Sequence, residues 1–499
     1  MKFVAVLCIT FSNAFIEYDI YFLKAHTYLN HRGDGDVMSE QKQTFKDKIF
    51  GGQDQMKGFA LEPVPLKFRK STYAMTAVWW GWIFATPGPL YGALNTAGWP
   101  FWGAIGLLLV GNWLLAFLNY GIGLIGSRQG LSVSFTSRYS FGNIGTYIPS
   151  IIYFLTLAGW FGVSVGILAG SLGANLGGEV WLWSLSMGIV MTFLAVAGMF
   201  LISWLANWAV PLMFILMTAG AVIAVGQNPG GWGAITSGVV PTTGGYVLPL
   251  TLSLGLILSY WIVGASLAPD ISRWAKGDKV VATSSLSAFG ISNPYIMALG
   301  VITAIAIGNP DLFNAMPALG AGQSWHPIWF WLSIIALLLI VWTSGDCQIY
   351  TSGLALSNMT KLPVYVSTAI AGAIGTLLAV AGYAFQYINF LLVLGTFVPA
   401  VAGIIIADYF LVHKSKYPHP SAIKKWINPV AIVTYAVSIF VEYYLQNYMN
   451  YAGVPVLNSL ILSIVLYYVL MKVTSWFNWD KAAPEFRTYP PGYPKVPAE

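Results

Sequence analysis

The run Ser259-Tyr-Trp-Ile-Val-Gly-Ala-Ser-Leu-Ala-Pro-Asp-Ile-Ser-Arg-Trp274 decides the fold. It begins as the middle of an apolar helix, loosens at Gly264-Ala265-Ser266 and then meets Pro269. Proline has no backbone N–H to donate and disfavours helical geometry in the residue before it. Glycine lowers helix stability by roughly 1 kcal/mol relative to alanine. A membrane core offers no water to the freed backbone groups, so a broken helix there must line a cavity enclosed by protein. Trp261, just before the break, sets a flat ring beside exposed backbone. This is the layout of a substrate site. From this stretch alone, a simple kink with a packing tryptophan reads the same way.

Working outward, the chain is 57% hydrophobic and only 8% charged, where a soluble domain carries about 25% charged residues. Several apolar runs exceed the ~20 residues that cross a bilayer, so this is an all-α polytopic membrane protein. The net charge of +6 comes from basic residues between spans, which topology explains, and no nucleic-acid partner is expected. Cys8 and Cys347 form no metal spacing, and the five histidines are scattered over tails and loops. No HExxH or P-loop motif is present, so no enzyme activity and no cofactor are expected.

Twelve spans are predicted: 72–96, 101–126, 146–172, 180–204, 208–225, 246–274, 280–307, 328–358, 365–383, 387–412, 427–445 and 454–473. Loops after even-numbered spans hold Arg128, Arg138, Arg273, Lys276, Lys279, Lys361, Lys414, Lys416, Lys424 and Lys425. Loops after odd-numbered spans hold no lysine or arginine, which puts both termini in the cytoplasm of a plasma-membrane protein. Residues 1–70 read as a cytoplasmic tail, 71–412 as a ten-span core, 413–475 as two accessory spans and 476–499 as a disordered tail. Met1–Phe15 resembles a short signal peptide, yet a polar segment restarts at Met38, so residues 1–37 are expected to be a dispensable extension.

The first span is also broken, at Thr86-Pro87-Gly88-Pro89. The two breaks lie five spans apart, and five is odd, so the second segment repeats the first upside down. Paired interrupted helices in opposite halves point to a secondary transporter with an inverted repeat and a midplane site. A passive channel and a non-transporting sensor for the same ligand remain alternatives. A channel would need more polar residues within the spans than this chain carries.

Motif residues add a family. Arg138-Tyr-Ser-Phe-Gly142, Gly159-Trp-Phe-Gly-Val163, Asp270-Ile-Ser-Arg273, Tyr350-Thr-Ser-Gly-Leu354 with Asn358, and Pro399-Ala-Val-Ala-Gly403 running into Ile404-Ile-Ile-Ala-Asp408-Tyr409 occur in order. In these stretches the chain resembles the nucleobase:cation symporter-1 family, most closely its cytosine permease branch. The resemblance implies a leucine-transporter-like fold of two five-span inverted repeats with broken helices 1 and 6. It also implies cation-coupled uptake of a nucleobase or related planar heterocycle, by a monomer whose partners are that small molecule and membrane lipid.

In the family, the substrate ring lies between aromatics that match Trp160 and Trp261, beside Tyr260. Leu157 stands where cytosine permeases carry a glutamine, Gly345 where they carry an asparagine, and Ser164 where another branch has glutamine. Cytosine itself is therefore not the expected substrate, and Gln348 is a candidate substitute amide. The family's sodium ligands map onto the carbonyls of Gly81 and Phe84, the backbone at Ile340 and the hydroxyls of Thr343 and Ser344. Sodium is the expected coupling ion. Asp346, an intramembrane carboxyl, keeps a proton as the alternative. Trp79, Trp80 and Trp82 read as packing residues, Asp270 and Asp408 as end caps or gate ion pairs, and Asn112 and Asn119 as helix-to-helix hydrogen bonders.

Overall fold

The computed structural model describes residues 63–66, 69–84, 88–196, 199–242, 245–418, 423, 426–449 and 453–476. The expectations for residues 1–37 and for the tail after Trp476 lie outside these. The chain forms α1 (Thr72–Phe84), α2 (Gly88–Asn95), α3 (Phe101–Gln129), α4 (Val133–Phe141), α5 (Tyr147–Leu176), α6 (Val180–Val196), α7 (Met199–Gln227) and α8 (Gly231–Thr236). It continues with α9 (Leu250–Ser266), α10 (Ala268–Ser272), α11 (Asp278–Ser287), α12 (Asn293–Ile307), α13 (Leu312–Ala315) and α14 (His326–Thr360). It closes with α15 (Val364–Val380), α16 (Tyr387–Ile406), α17 (Pro429–Tyr448) and α18 (Pro455–Trp476). Seven helical stretches are long and apolar enough to cross a membrane, and α6, α9 and α15 are shorter apolar helices.

Both expected interruptions are present. α1 ends at Phe84 and α2 starts at Gly88, with Thr86 and Pro87 outside the described residues. In the sixth span the break falls later than expected: Gly264, Ala265 and Ser266 stay helical, and Leu267 is the junction to α10. Pro269 then occupies the first turn of α10, where its missing N–H costs no hydrogen bond. Gly264 is explained by packing. A Cβ there would lie 2.3 Å from the Trp261 ring, so the glycine makes room for the indole.

One further correction concerns spans four and five: α7 runs unbroken from Met199 to Gln227, so the expected break between Trp204 and Trp208 is absent, and residues 197–198 lie outside the described ones. Span seven contains a π-helical turn, Ala288–Ser292, which joins α11 to α12, and a second π turn, Ala407–Val412, ends span ten.

The helices gather in two sets. α5, α6, α14 and α15 pack against one another, while α9, α10, α11 and α12 gather around α3 together with the two halves of the first span. α7 touches both sets, and α16 packs on α9 and α18. Lipid is as apolar as leucine, so close approach rather than water exclusion holds such helices together. Glycines make it possible. A Cβ on Gly92 would lie 2.2 Å from the Met297 carbonyl oxygen, and one on Gly300 would lie 1.8 Å from that of Pro89. These two glycines clamp α2 to α12 directly after the first break. We expect Gly300→Ala to destabilise the protein by at least about 2 kcal/mol, the upper range for overpacking. Thermal unfolding in detergent measures this, and a wild-type midpoint would show that the contact yields.

Candidate functional site

At the two breaks the fold buries a connected set of rings. Trp160 on α5 is 5% exposed and Trp261 on α9 is 4% exposed. They do not meet face to face, because Tyr260 bridges them, its ring 5.8 Å from Trp160 and 6.0 Å from Trp261. Around Trp160 stand Tyr91 of α2 at 5.7 Å and Phe390 of α16 at 5.2 Å, both edge-on. Around Trp261 stand Trp82 of α1 and Phe289 of the π turn, each at 5.5 Å and near perpendicular. Tyr91 also stacks on Tyr387 at 4.5 Å with the planes 9° apart, and the Tyr387 hydroxyl donates to Asn95 Oδ1 at 3.2 Å.

Sequence reasoning missed Tyr91, Tyr387, Phe390 and Phe289, and set Trp82 aside as packing. Among many aromatics, only the tertiary fold distinguishes these. Several polar atoms in this region are buried without hydrogen-bond partners: Trp261 Nε1, Tyr91 OH, Asn95 Nδ2 and Ser164 Oγ. Buried polar atoms ordinarily have partners, so these are free to read the edge of a guest.

α14 supplies the second group. Its register against α5 follows from two contacts: Ser352 Oγ donates to the Phe154 carbonyl at 2.7 Å, and a Cβ on Gly345 would lie 3.1 Å from the Phe161 ring. The helices therefore run antiparallel, with Asp346 level with Trp160 and Gln348 level with Ala158. Gln348 is buried with Oε1 unpartnered, and Asp346 is buried with Oδ1 unpartnered. Leu157 is buried as well, and Gly345 faces Phe161 and Met191.

One turn earlier, Ser344 Oγ donates to the Ile340 carbonyl at 2.9 Å, and Thr343 Oγ1 lies 3.3 Å from the same oxygen. Three of the five oxygens assigned to sodium are thus already clustered. A hydroxyl that donates its hydrogen still keeps lone pairs for a cation. Gly81 and Phe84 lie in the last described turn of α1. α1 and α14 are in contact. The Ile340 side chain points elsewhere, into an apolar cavity of about 40 Å³ that it shares with Pro89, Leu90 and Leu337.

A family model for permeases of cytosine/purines, uracil, thiamine and allantoin matches residues 63–470. The chain belongs to this nucleobase:cation symporter-1 family. It is 30% identical over 394 residues to the cytosine permease of Escherichia coli K12, covering 79% of this chain and 90% of that one, which places it in the cytosine permease branch. It is 24% identical to the allantoin permease of Bacillus subtilis, covering 82% and 92%. Inward-facing Mhp1 shares the fold, with a TM-score of 0.72 at 20% identity over 86% of this chain and 95% of that one. The protein is a multi-pass membrane transporter of the leucine-transporter-like class, not an enzyme.

In this permease the remaining family motifs meet at the ends of the helices that carry the basic residues. Arg138 Nη2 donates to Asn358 Oδ1 at 2.9 Å, and Asn358 Nδ2 donates to Ser150 Oγ at 3.1 Å, which ties α4, α14 and α5 together. Asp270 Oδ1 accepts the Val133 N–H at 2.9 Å, so the carboxylate caps the start of α4 rather than its own helix. Asp408 accepts hydroxyls from Tyr417 and Tyr467 and lies 3.3 Å from His413 Nδ1. Burial works against charge on His413, but Asp408 outweighs it and holds the imidazole above its ordinary value. Asn112 does join two helices, accepting from Asn293 Nδ2 at 2.5 Å. Asn119 does not: both of its amide atoms are buried and unpartnered.

Trp261 and Gly264 act as one unit. We expect Gly264→Ala to lower stability by about 1–3 kcal/mol through overpacking, and to be nearly neutral in a Trp261→Ala background. Unfolding midpoints of the two single variants and the double variant measure the coupling. Strict additivity would mean that the indole does not rest on Gly264.

Proposed function

We propose that this permease imports a nucleobase or related planar heterocycle by sodium symport, with alternating access to the two sides of the membrane. The observation that carries this reading is the buried ring cluster at two broken helices, with unpartnered polar atoms among the rings. A flat, neutral heterocycle offers two π faces to such rings and a polar edge to such atoms. On this reading Tyr260 moves aside and Trp160 and Trp261 close on the two faces. Ser164 and Gln348 then read the edge, beside Leu157. The relatives support the substrate class: they include cytosine, allantoin and purine–uracil permeases, and Mhp1 has been seen closed with bromovinylhydantoin bound.

The substrate is a purine, uracil or a less polar heterocycle rather than cytosine, because Leu157 gives no amide to an amino-pyrimidine edge. Gly345, backed by Phe161, gives none either. The site is closed by buried rings, which favours a carrier over a passive channel. We further assign a plasma-membrane location, a monomer, both termini in the cytoplasm and a ten-span core over residues 71–412. On this assignment residues 1–70 are a cytoplasmic tail, 413–475 two accessory spans and 476–499 a second tail.

Stacking is worth about 0.5–1.5 kcal/mol beyond area burial. We therefore expect Trp261→Ala to weaken binding of the preferred base about tenfold in calorimetry, and Trp261→Phe to weaken it less. Wild-type affinity in both Trp160→Ala and Trp261→Ala would move the site elsewhere. Competition across bases should rank cytosine low, and selective sub-micromolar cytosine binding would contradict the substrate assignment.

Sodium is bound by the Gly81 and Phe84 carbonyls, the Ile340 carbonyl and the Thr343 and Ser344 hydroxyls. With no carboxylate among these ligands, its affinity is modest and rises when substrate closes the site. Asp346 is the alternative carrier, of a proton. Sodium-dependent base binding should vanish in Ser344→Ala and survive in Asp346→Asn. Uptake that ignores sodium, follows pH and dies with Asp346→Asn would reverse the assignment.

A further inference from the structure

Away from the ring cluster, α16, α17 and α18 bury two rows of polar side chains that together form a seam. On α17 it runs through Thr434, Ser438 and Glu442, at most 1% exposed. On α18 it runs through Ser459, Ser463 and Tyr467, all 0% exposed. Both rows step by four residues, about 6 Å of helix rise, so each is a ladder on one face. α16 receives the α18 row rung by rung. Ser459 Oγ donates to the Thr396 carbonyl at 3.1 Å, and Ser463, whose Oγ donates back to the Leu460 carbonyl at 2.9 Å, lies 2.1 Å from where a Cβ on Gly403 would sit. Tyr467 then donates to Asp408 Oδ1 at 2.7 Å. α17 is tied to the same seam at both ends. Gln446 Nε2 donates to Thr396 Oγ1 at 2.7 Å and to Glu442 Oε1 at 3.0 Å, while Asn428, the cap of α17, donates to the Tyr467 hydroxyl at 3.2 Å. Between these ties the hydroxyls of Thr434 and Ser438, and Glu442 Oε2, have no hydrogen-bond partner.

Helix packing by small residues does not require a carboxyl here. Thr156, Thr303 and Thr376 turn their hydroxyls back onto the carbonyl four residues earlier, which satisfies a threonine within its own helix. Glu442 is answered only by neutral groups: Gln446 one turn on in α17, which donates to Oε1 at 3.0 Å, and Asn458 of α18. An uncompensated carboxylate in a membrane interior is costly and marks an ion or proton path by default. Serine and threonine hydroxyls donate and accept at once, and a water bridges gaps lined by such groups. The far end of the seam is Asp408, held by Tyr417, Tyr467 and His413. The His413 side chain is 15% exposed and opens the seam to water.

We propose that this seam conducts protons: Glu442 takes one up at one end, the hydroxyl rows pass it on, and Asp408 with His413 releases it at the other. Each transfer breaks one O–H or N–H bond as the next forms, and the donor is reprotonated from the group behind it. The path is separate from the sodium ligands and from Asp346. It also touches the substrate helix, because a Cβ on Gly395, next to Thr396, would lie 2.6 Å from Ser259 Oγ, one residue before Tyr260. The inference deepens the transport reading and rests on it.

The test uses the full chain in liposomes loaded with pyranine, with valinomycin and potassium clamping the voltage. An outside acid step is applied with and without uracil, hypoxanthine or cytosine, and uptake of the labelled bases is followed in the same vesicles. We expect base-stimulated acidification of the lumen, reduced at least fivefold in Glu442→Gln and in the shape-conserving Thr434→Val/Ser438→Ala pair. Both variants should elute as single species and still bind base. Base uptake with acidification that ignores Glu442→Gln, or that matches protein-free vesicles, would overturn the seam alone. Absence of uptake for every base under a sodium gradient would overturn the transport reading with it.

Discussion

Everything in this fold turns on backbone groups that must be answered inside a membrane. A helix that stops at Phe84 or Leu267 leaves carbonyls and amides with no water to meet them. The chain resolves this by bringing both breaks into one interior and walling it with rings. Tyr260, Trp261, Tyr91 and Trp160 shield the broken ends, while α14 lays Thr343 and Ser344 in a span that touches α1.

Holding two broken helices in place demands rigid neighbours. α2 and α12 approach until backbone meets backbone, through Gly92 and Gly300. α15 meets α6 through a side chain instead, with a Cβ on Gly188 falling 2.4 Å from Thr376 Oγ1. Two tightly packed sets of helices result. The ties at the basic ends, Arg138 to Asn358 and Asp270 to the start of α4, are polar and local.

Much of this was legible in the sequence. Spans announce themselves by length, and Pro87 and Pro269 mark the breaks, because proline's effect on a helix is local. What stayed hidden depends on three dimensions. Gly264 read as a loosening of the helix but serves as a seat for Trp261. The break at Leu267 follows from where packing permits a junction. The stretch from Trp204 to Trp208 stays helical, where the sequence reads as a turn between two spans. Tyr91 and Tyr387 lie almost three hundred residues apart and become partners only through the fold. Trp261 was singled out by the helix break and Trp160 by resemblance, whereas the polar seam of α17 and α18 needed both helices in register.

The central claim is that rings at two helix breaks hold a nucleobase while sodium sits beside them. Uptake of labelled uracil, hypoxanthine and cytosine into proteoliposomes, with and without an inward sodium gradient, tests it most directly. We expect at least one base to accumulate above its outside concentration only when the gradient is present. Equilibration without accumulation, or indifference to sodium for every base that enters, would contradict it.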